Sequence, residues 1–351
     1  MNVRKLAELT NLSVATISRV LQADPAVDPK TRDLVLRTLS QHPFYPDFKK
    51  KKKKVRNLFV FLSPAHVNER LHLTQINFFS RALAGVKSYF DTVNSQDGVE
   101  RYLLLSSYKN GRILEKLNEL EELDYAGSIA GIFIIHTQVA DHEGLARYTG
   151  RLKLYLLGRS REDVPCERAD CVYFDDVKAG QLAYEHLVSR GHRRILVFSG
   201  PPEFSYFEKR ERAFREEAGK NGNQFLFRKT ATVSPNEAYD LAKSYFSNKN
   251  PPVTAMYVTA EILLEGVLRY LDEAGIRIPE DLSLLSTNDY LVGYQHRPPI
   301  SVIRTPHFEI GRLAAVIALE NCKFEYETRV DYRLDVLLND RNSVAKIEVE
   351  S

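Results

Sequence analysis

The chain has 351 residues, 44% of them hydrophobic and 27% charged, with a net charge of +3, which suits a small domain joined to a larger one in an ordinary globular protein. No run approaches the roughly 20 apolar residues of a membrane helix, and Met1 to Thr10 lacks the apolar stretch of a signal peptide. Cys166, Cys171 and Cys322 form neither a CxxC pair nor a metal-ligand spacing with histidine. A cytoplasmic chain with free thiols, no metal and no cofactor is expected.

The charge is unevenly spread. Residues 1–56 carry 13 Lys or Arg against 5 Asp or Glu, a net +8, which leaves −5 on the remainder. A basic head on a mildly acidic body points the head, and not the body, at a polyanion. Much of the excess is the run Lys49 to Lys54, which alone is equally a solvated linker.

Three short helices are predicted within 3–41. Val3, Leu6, Ala7 and Thr10 share a face of the first. Asn11 tolerates the left-handed backbone of a tight turn, and Ser13 is placed to cap a second helix, Val14 to Leu21. That helix is expected to bury Ile17, Val20 and Leu21 and to present Val14, Ala15, Thr16, Ser18 and Arg19. Asp28 and Pro29 start a third helix, with Leu34, Val35 and Leu39 on its apolar face. A helix-turn-helix reader has this pattern; so does a plain three-helix bundle.

Beyond Arg56, short apolar runs alternate with amphipathic stretches. The runs are Leu58–Leu62, Arg101–Leu105, Gly131–Ile135, Lys153–Leu157, Arg194–Phe198, Ala255–Val258 and Leu282–Leu285. Stretches such as Phe78–Phe90 and Ala179–Ser189 lie between them. This order predicts an α/β fold of two doubly wound parallel sheets. No GxGxxG, P-loop or nucleophile-elbow pattern occurs, so an enzyme is not expected.

The string Val3-Arg4-Lys5-Leu6-Ala7, with Leu12-Ser13-Val14-Ala15-Thr16-Ile17-Ser18-Arg19-Val20-Leu21 and Phe44-Tyr45-Pro46, resembles the headpiece of the lactose/galactose-repressor family of bacterial transcriptional regulators. In the body, Gly191-His192-Arg193-Arg194-Ile195, Arg210-Glu211-Arg212-Ala213-Phe214, Ile278-Pro279-Glu280-Asp281-Leu282-Ser283 and Pro298-Pro299-Ile300-Ser301-Val302 extend the resemblance. It implies a helix-turn-helix headpiece (1–47), a basic hinge (48–57) and a periplasmic-binding-protein-like effector domain (58–351). The last would divide into an N-subdomain of about 58–174 and 305–332 and a C-subdomain of about 175–304 and 333–351.

The resemblance also implies a repressor that binds a palindromic operator in double-stranded DNA as a homodimer and is modulated by a sugar or related metabolite. Val14 and Ala15 would read bases, Thr16 and Ser18 would hold phosphates, and Arg19 would reach a guanine edge. Asn2, Gln22, Lys49, Lys50 and Lys53 complete the implied DNA side. By simple counting a lysine, about Lys53, stands where family members carry a leucine that wedges into the minor groove, so a lysine lying along phosphates or in a narrow groove, with weak central bending, is expected in place of a kink. The effector would meet Phe78, Phe79, Arg210 and Asn288, with Tyr206 and His136 on neighbouring loops.

Departures from the family pattern concentrate here. Asn288 replaces a frequent acid, Ala260-Glu261 an Asn-Asp pair, and Ala213 a glycine. They leave open a sensor that has lost its ligand; a solute-binding protein is the other alternative. With no leucine heptad after Arg341, a dimer is expected over a tail-linked tetramer.

Overall fold

The structure is a computed structural model that describes residues 3–21, 24, 26–40, 57–65, 78–124, 127–135, 138–220, 224–247, 252–324 and 328–347. The chain forms two compact units, Met1–Val55 and Arg56–Ser351.

In the first unit, α1 (Val3–Thr10), α2 (Val14–Leu21) and α3 (Pro29–Ser40) close on Leu6, Ile17, Val20 and Val35, all fully buried. Asn11 makes the α1–α2 turn at φ +54°, and the Ser13 hydroxyl accepts the Thr16 amide at 3.0 Å. Asp28 caps α3 by accepting the Thr31 amide at 3.0 Å. One expectation fails: Leu34 is 47% exposed. Adjacent helical positions diverge by about 100°, and Val35 takes the core position. The Leu21 and Leu39 side chains lie outside the described residues.

The second unit holds two six-stranded sheets. In chain order the elements of the first are β1 (Leu58–Pro64), α4 (Phe78–Asp97), β2 (Tyr102–Tyr108), α5 (Ile113–Leu123), β3 (Ile129–Ile135), α6 (Val139–Ala146), β4 (Leu154–Leu157) and β5 (Ala169–Phe174). The chain then enters the second sheet through α7 (Asp176–Ser189), β6 (Arg194–Ser199), α8 (Ser205–Lys220), β7 (Gln224–Lys229), α9 (Pro235–Ser247), β8 (Ala255–Val258), α10 (Glu261–Glu273), β9 (Ser283–Thr287), α11 (Leu291–Gln295) and β10 (Ser301–Arg304). It returns through α12 (His307–Lys323) and β11 (Asp331–Leu334), and crosses again to β12 (Leu337–Asn339).

The strand orders are β11-β5-β4-β3-β1-β2 and β12-β10-β9-β8-β6-β7. Only β12 is antiparallel to its neighbour among the described pairings. Each sheet therefore repeats one doubly wound pattern, with its order reversing beside its first strand. In such sheets, ligands bind beyond the carboxyl ends of the strands at that reversal.

The chain crosses between sheets after Phe174, after Arg304 and after Leu334. The last crossing falls two residues beyond the expected 332/333 division, because Arg333 and Leu334 still pair with Tyr173 and Phe174 of β5. Helices α4 and α12 pack backbone to backbone beside the second crossing. A Cβ on Gly85 would lie 2.0 Å from the Phe308 carbonyl oxygen, and one on Gly311 1.9 Å from that of Ala82. Side chains are sterically excluded from both positions. No described helix is long and apolar enough to cross a membrane.

Candidate functional site

Two surfaces gather the singled-out residues. On the first unit, the α1–α2 turn sets α2 with Val14 48% exposed, Ala15 and Arg19 exposed, and Thr16 and Ser18 half-buried. The core side of the same helix is closed by Ile17 and Val20, so the outward face is what the packing leaves over. Arg19 is not idle there: its Nε donates to Asp24 Oδ2 at 2.7 Å, and this contact holds the Asp24 carboxyl below its ordinary range. Asn2, Gln22, Lys49, Lys50 and Lys53 lie outside the described residues.

The second surface is the cleft where the carboxyl ends of both sets of strands converge. Beyond β4, Gly158 sits at φ +78°, with the Phe78 ring 2.6 Å from where a Cβ would be. Glycine therefore lets Phe78 lie across the strand end, where it meets His307 at 4.3 Å between ring centres. Its neighbour Phe79 does not share the cleft. Phe79 is 4% exposed and packs edge-on against Phe61 at 5.3 Å, so its expected role as an effector wall is corrected to a core role.

Arg210 lies in the cleft wall on α8, 2% exposed. Its Nε donates to Asp176 Oδ1 at 2.7 Å and its Nη1 to the Thr259 carbonyl at 2.6 Å. The forked donor expected to serve a ligand is thus largely engaged within the protein, with Nη2 making no hydrogen bond to a described residue. The guanidinium lies 5.2 Å from the Tyr206 ring centre and 5.7 Å from that of Phe174. Arg159 approaches Tyr206 from the other sheet at 5.4 Å.

Burial raises the Asp176 carboxyl above its ordinary range against the pull of Arg210 and Arg159. Burial also works to lower Arg210, but Asp176 and the nearby tyrosines hold it above its usual value. The pair is a desolvated charge pair whose members depend on each other.

Asn288 adopts φ +81°, a conformation that asparagine tolerates better than most residues. Its Nδ2 donates to Thr305 Oγ1 at 2.8 Å. Thr305 Oγ1 lies 3.2 Å from His307 Nδ1, which is 2.6 Å from the Tyr290 hydroxyl. The polar anchor expected of Asn288 is therefore tied to the second crossing. Glu261, 2% exposed, accepts the Tyr290 amide at 2.5 Å and the Gly293 amide at 3.1 Å. Burial raises its carboxyl to about 7.

His136 lies outside the described residues. Asp176, Arg159, Phe174, Tyr290 and His307 were missed as site residues. Their strand-end positions would have marked them once the strands were placed. Together the cleft offers aromatic faces, two guanidiniums, a carboxylate and an amide, a set suited to binding a small polar molecule.

Residues 184–344 match a family described as periplasmic binding protein-like domain. The chain is 23% identical over 347 residues to the HTH-type transcriptional regulator CelR of Thermobifida fusca, covering 96% of each chain. It is 22% identical to the HTH-type transcriptional repressor PurR of Vibrio vulnificus, covering 98% of this chain and 99% of that one. Among solved structures, a CelR–cellobiose complex superposes with a TM-score of 0.68 at 22% identity, covering 98% and 99% of the two chains. A Lac repressor dimer bound to operator and the anti-inducer ONPF gives 0.65 at 19% identity, with the same coverage.

Proposed function

The chain belongs to the lactose/galactose-repressor family, and on that premise we propose that it is a sequence-specific DNA-binding transcriptional regulator whose operator affinity is set by a small polar effector in the cleft between its sheets. The observation that carries this reading is the pairing of functions in one chain. A capped helix-turn-helix leaves Val14, Ala15 and Arg19 outward, and a two-sheet body brings Phe78, Arg210 and Asn288 to facing strand ends.

The relatives are regulators, and a binding role suits the cleft better than catalysis. A sugar or related metabolite is the favoured effector class. One neighbour is described as a cellobiose complex and another as bound to ribose, and aromatic faces with forked donors suit hydroxyl-rich rings. We further propose a cytoplasmic homodimer on a palindromic site, since paired headpieces impose two-fold symmetry on DNA.

A second reading is a regulator whose sensor no longer needs a ligand. It is favoured by the internal partners of Arg210 and Asn288, which satisfy groups that would otherwise face an effector.

Selection of genomic fragments by the full-length protein, then fluorescence anisotropy on a recovered fragment, tests the proposal. Specific binding should vanish when residues 1–56 are deleted. Retained specificity in that truncation would refute it. A metabolite panel that moves operator affinity favours the effector reading; a panel without effect favours the ligand-independent one.

A further inference from the structure

Arg19 lies on the outward face of α2 with its side chain 53% exposed. Its Nε donates to Asp24 Oδ2 at 2.7 Å, while neither Nη1 nor Nη2 makes a hydrogen bond to a described residue. The carboxylate that receives it is held from several sides. Asp24 Oδ1 accepts the Ala26 amide at 2.9 Å, and the Asp24 amide donates to the Arg19 carbonyl at 3.0 Å. The Asp24 carbonyl accepts Arg32 Nη2 of α3 at 2.7 Å and the Val27 amide at 3.2 Å. Residue 24 is therefore pinned to α2, to the turn after it and to α3.

An exposed ion pair of this kind adds little to stability, and two features argue that this one serves recognition. Commitment of Nε fixes the guanidinium plane and leaves both Nη groups as the free end of the fork. Side by side, they match the N7 and O6 acceptors of guanine in the major groove. A carboxylate beside the arginine also repels phosphate, so Asp24 opposes the sequence-independent contacts that an arginine makes along a duplex. A plain phosphate clamp has no use for either feature.

We propose that Asp24 is a specificity-determining positioning residue. It holds Arg19 with both Nη groups free to read a guanine edge and keeps the guanidinium off the phosphates. The inference deepens the DNA-binding reading of α2 and rests on it. Asp24 itself touches no base. Its contribution is preorganisation, because a side chain already held in its bound rotamer has less freedom to lose on binding.

The test uses the full-length protein and a duplex recovered by selection from genomic DNA. Each base pair of one half-site is varied in turn, and affinity is read by fluorescence anisotropy. The parent should prefer guanine by about fivefold or more at the pair that Arg19→Ala identifies. Asp24→Ala removes the acceptor, whereas Asp24→Asn keeps an oxygen for the Ala26 amide and has no second one for Nε. Both should cut the preference at that pair by about half or more and leave the other pairs unchanged. Both should also steepen the log–log salt slope by up to about 0.9 for each Arg19 that moves to phosphate. In an Arg19→Ala background neither should alter base preference. Asp33→Asn removes the same charge from an exposed pair on α3 and should leave base preference as it is.

Guanine preference that survives in both Asp24 variants overturns the inference. An equal loss at every pair does so too, since it marks a substitution acting through the fold. A further loss of preference in the Arg19→Ala background, or uniform weakening by Arg19→Ala itself, has the same consequence. These outcomes strike this inference alone, whereas a parent without specific binding overturns the regulator reading together with it.

Discussion

Arg210→Ala is the sharpest perturbation of the cleft, and its main effect is expected on stability. The substitution leaves Asp176, 8% exposed, without the guanidinium that meets it at 2.7 Å. It also removes the donor to the Thr259 carbonyl. Removing one member of a buried ion pair costs about 3–5 kcal/mol, or roughly 6–20 °C in midpoint at about 2–4 °C per kcal/mol for a domain approaching this size. Asp176→Ala should cost a similar amount, because it strands Arg210. The double variant should cost less than the sum of the two, with a coupling of about 2 kcal/mol or more. Burial already raises the Asp176 carboxyl, so in Arg210→Ala it can escape by taking a proton. A folded-state value above the unfolded one means that stability is lost as pH rises, so the destabilisation should be smaller at pH 5 than at pH 8. The chain has no tryptophan, so urea unfolding is followed by far-ultraviolet circular dichroism. Additive single and double variants, or an Arg210→Ala cost independent of pH, would refute the mutual dependence of the pair.

Three further outcomes are expected. Glu261, raised to about 7 by burial, contributes stability that is fully present below its ordinary value near 4.5 and lost as pH rises through 7. The parent should therefore lose up to about 3 kcal/mol more than Glu261→Gln between pH 5 and pH 8; parallel pH profiles for the two proteins rule this out. Arg19→Ala should lose about 1–3 kcal/mol at one position per half-site and relax base preference there, and uniform weakening on all sequences would reduce Arg19 to a phosphate contact. Replacing Lys49 to Lys54 with glutamine should flatten the log–log salt dependence of operator binding by about 0.9 for each phosphate no longer neutralised, whereas an unchanged slope removes these lysines from the DNA.

What could be read from the sequence follows the range of the interactions. The headpiece turn and caps rest on hydrogen bonds between residues three apart, Ser13 with Thr16 and Asp28 with Thr31, so residue types at fixed spacing suffice. The alternation of strands and helices is likewise visible in the sequence. Yet β5, β7, β10, β11 and β12 are not predicted from it: β7 (Gln224–Lys229) lies at a sheet edge with polar ends, and β11 and β12 pair only because the chain crosses between sheets. The cleft depends on still longer range. Arg210 can be singled out by its motif, but its partners lie 34 and 49 residues away. Phe78 and Phe79 are indistinguishable in one amphipathic helix; the left-handed Gly158 beneath one ring and Phe61 beside the other separate them.

The same long-range interactions constrain how a ligand could act. Asn288, Thr305, His307 and Tyr290 form one connected polar chain that runs through the second crossing, and Glu261 fastens the backbone of Tyr290 and Gly293. An effector that takes the Nδ2 hydrogen now given to Thr305 must replace that bond. The cost of that exchange falls on the segment joining the sheets and not on the cleft wall alone. Only a ligand that offsets it better in one arrangement of the sheets than in the other can move the equilibrium. If the cleft takes an effector as proposed, its internal pairing sets a threshold that a weakly complementary ligand would bind without crossing.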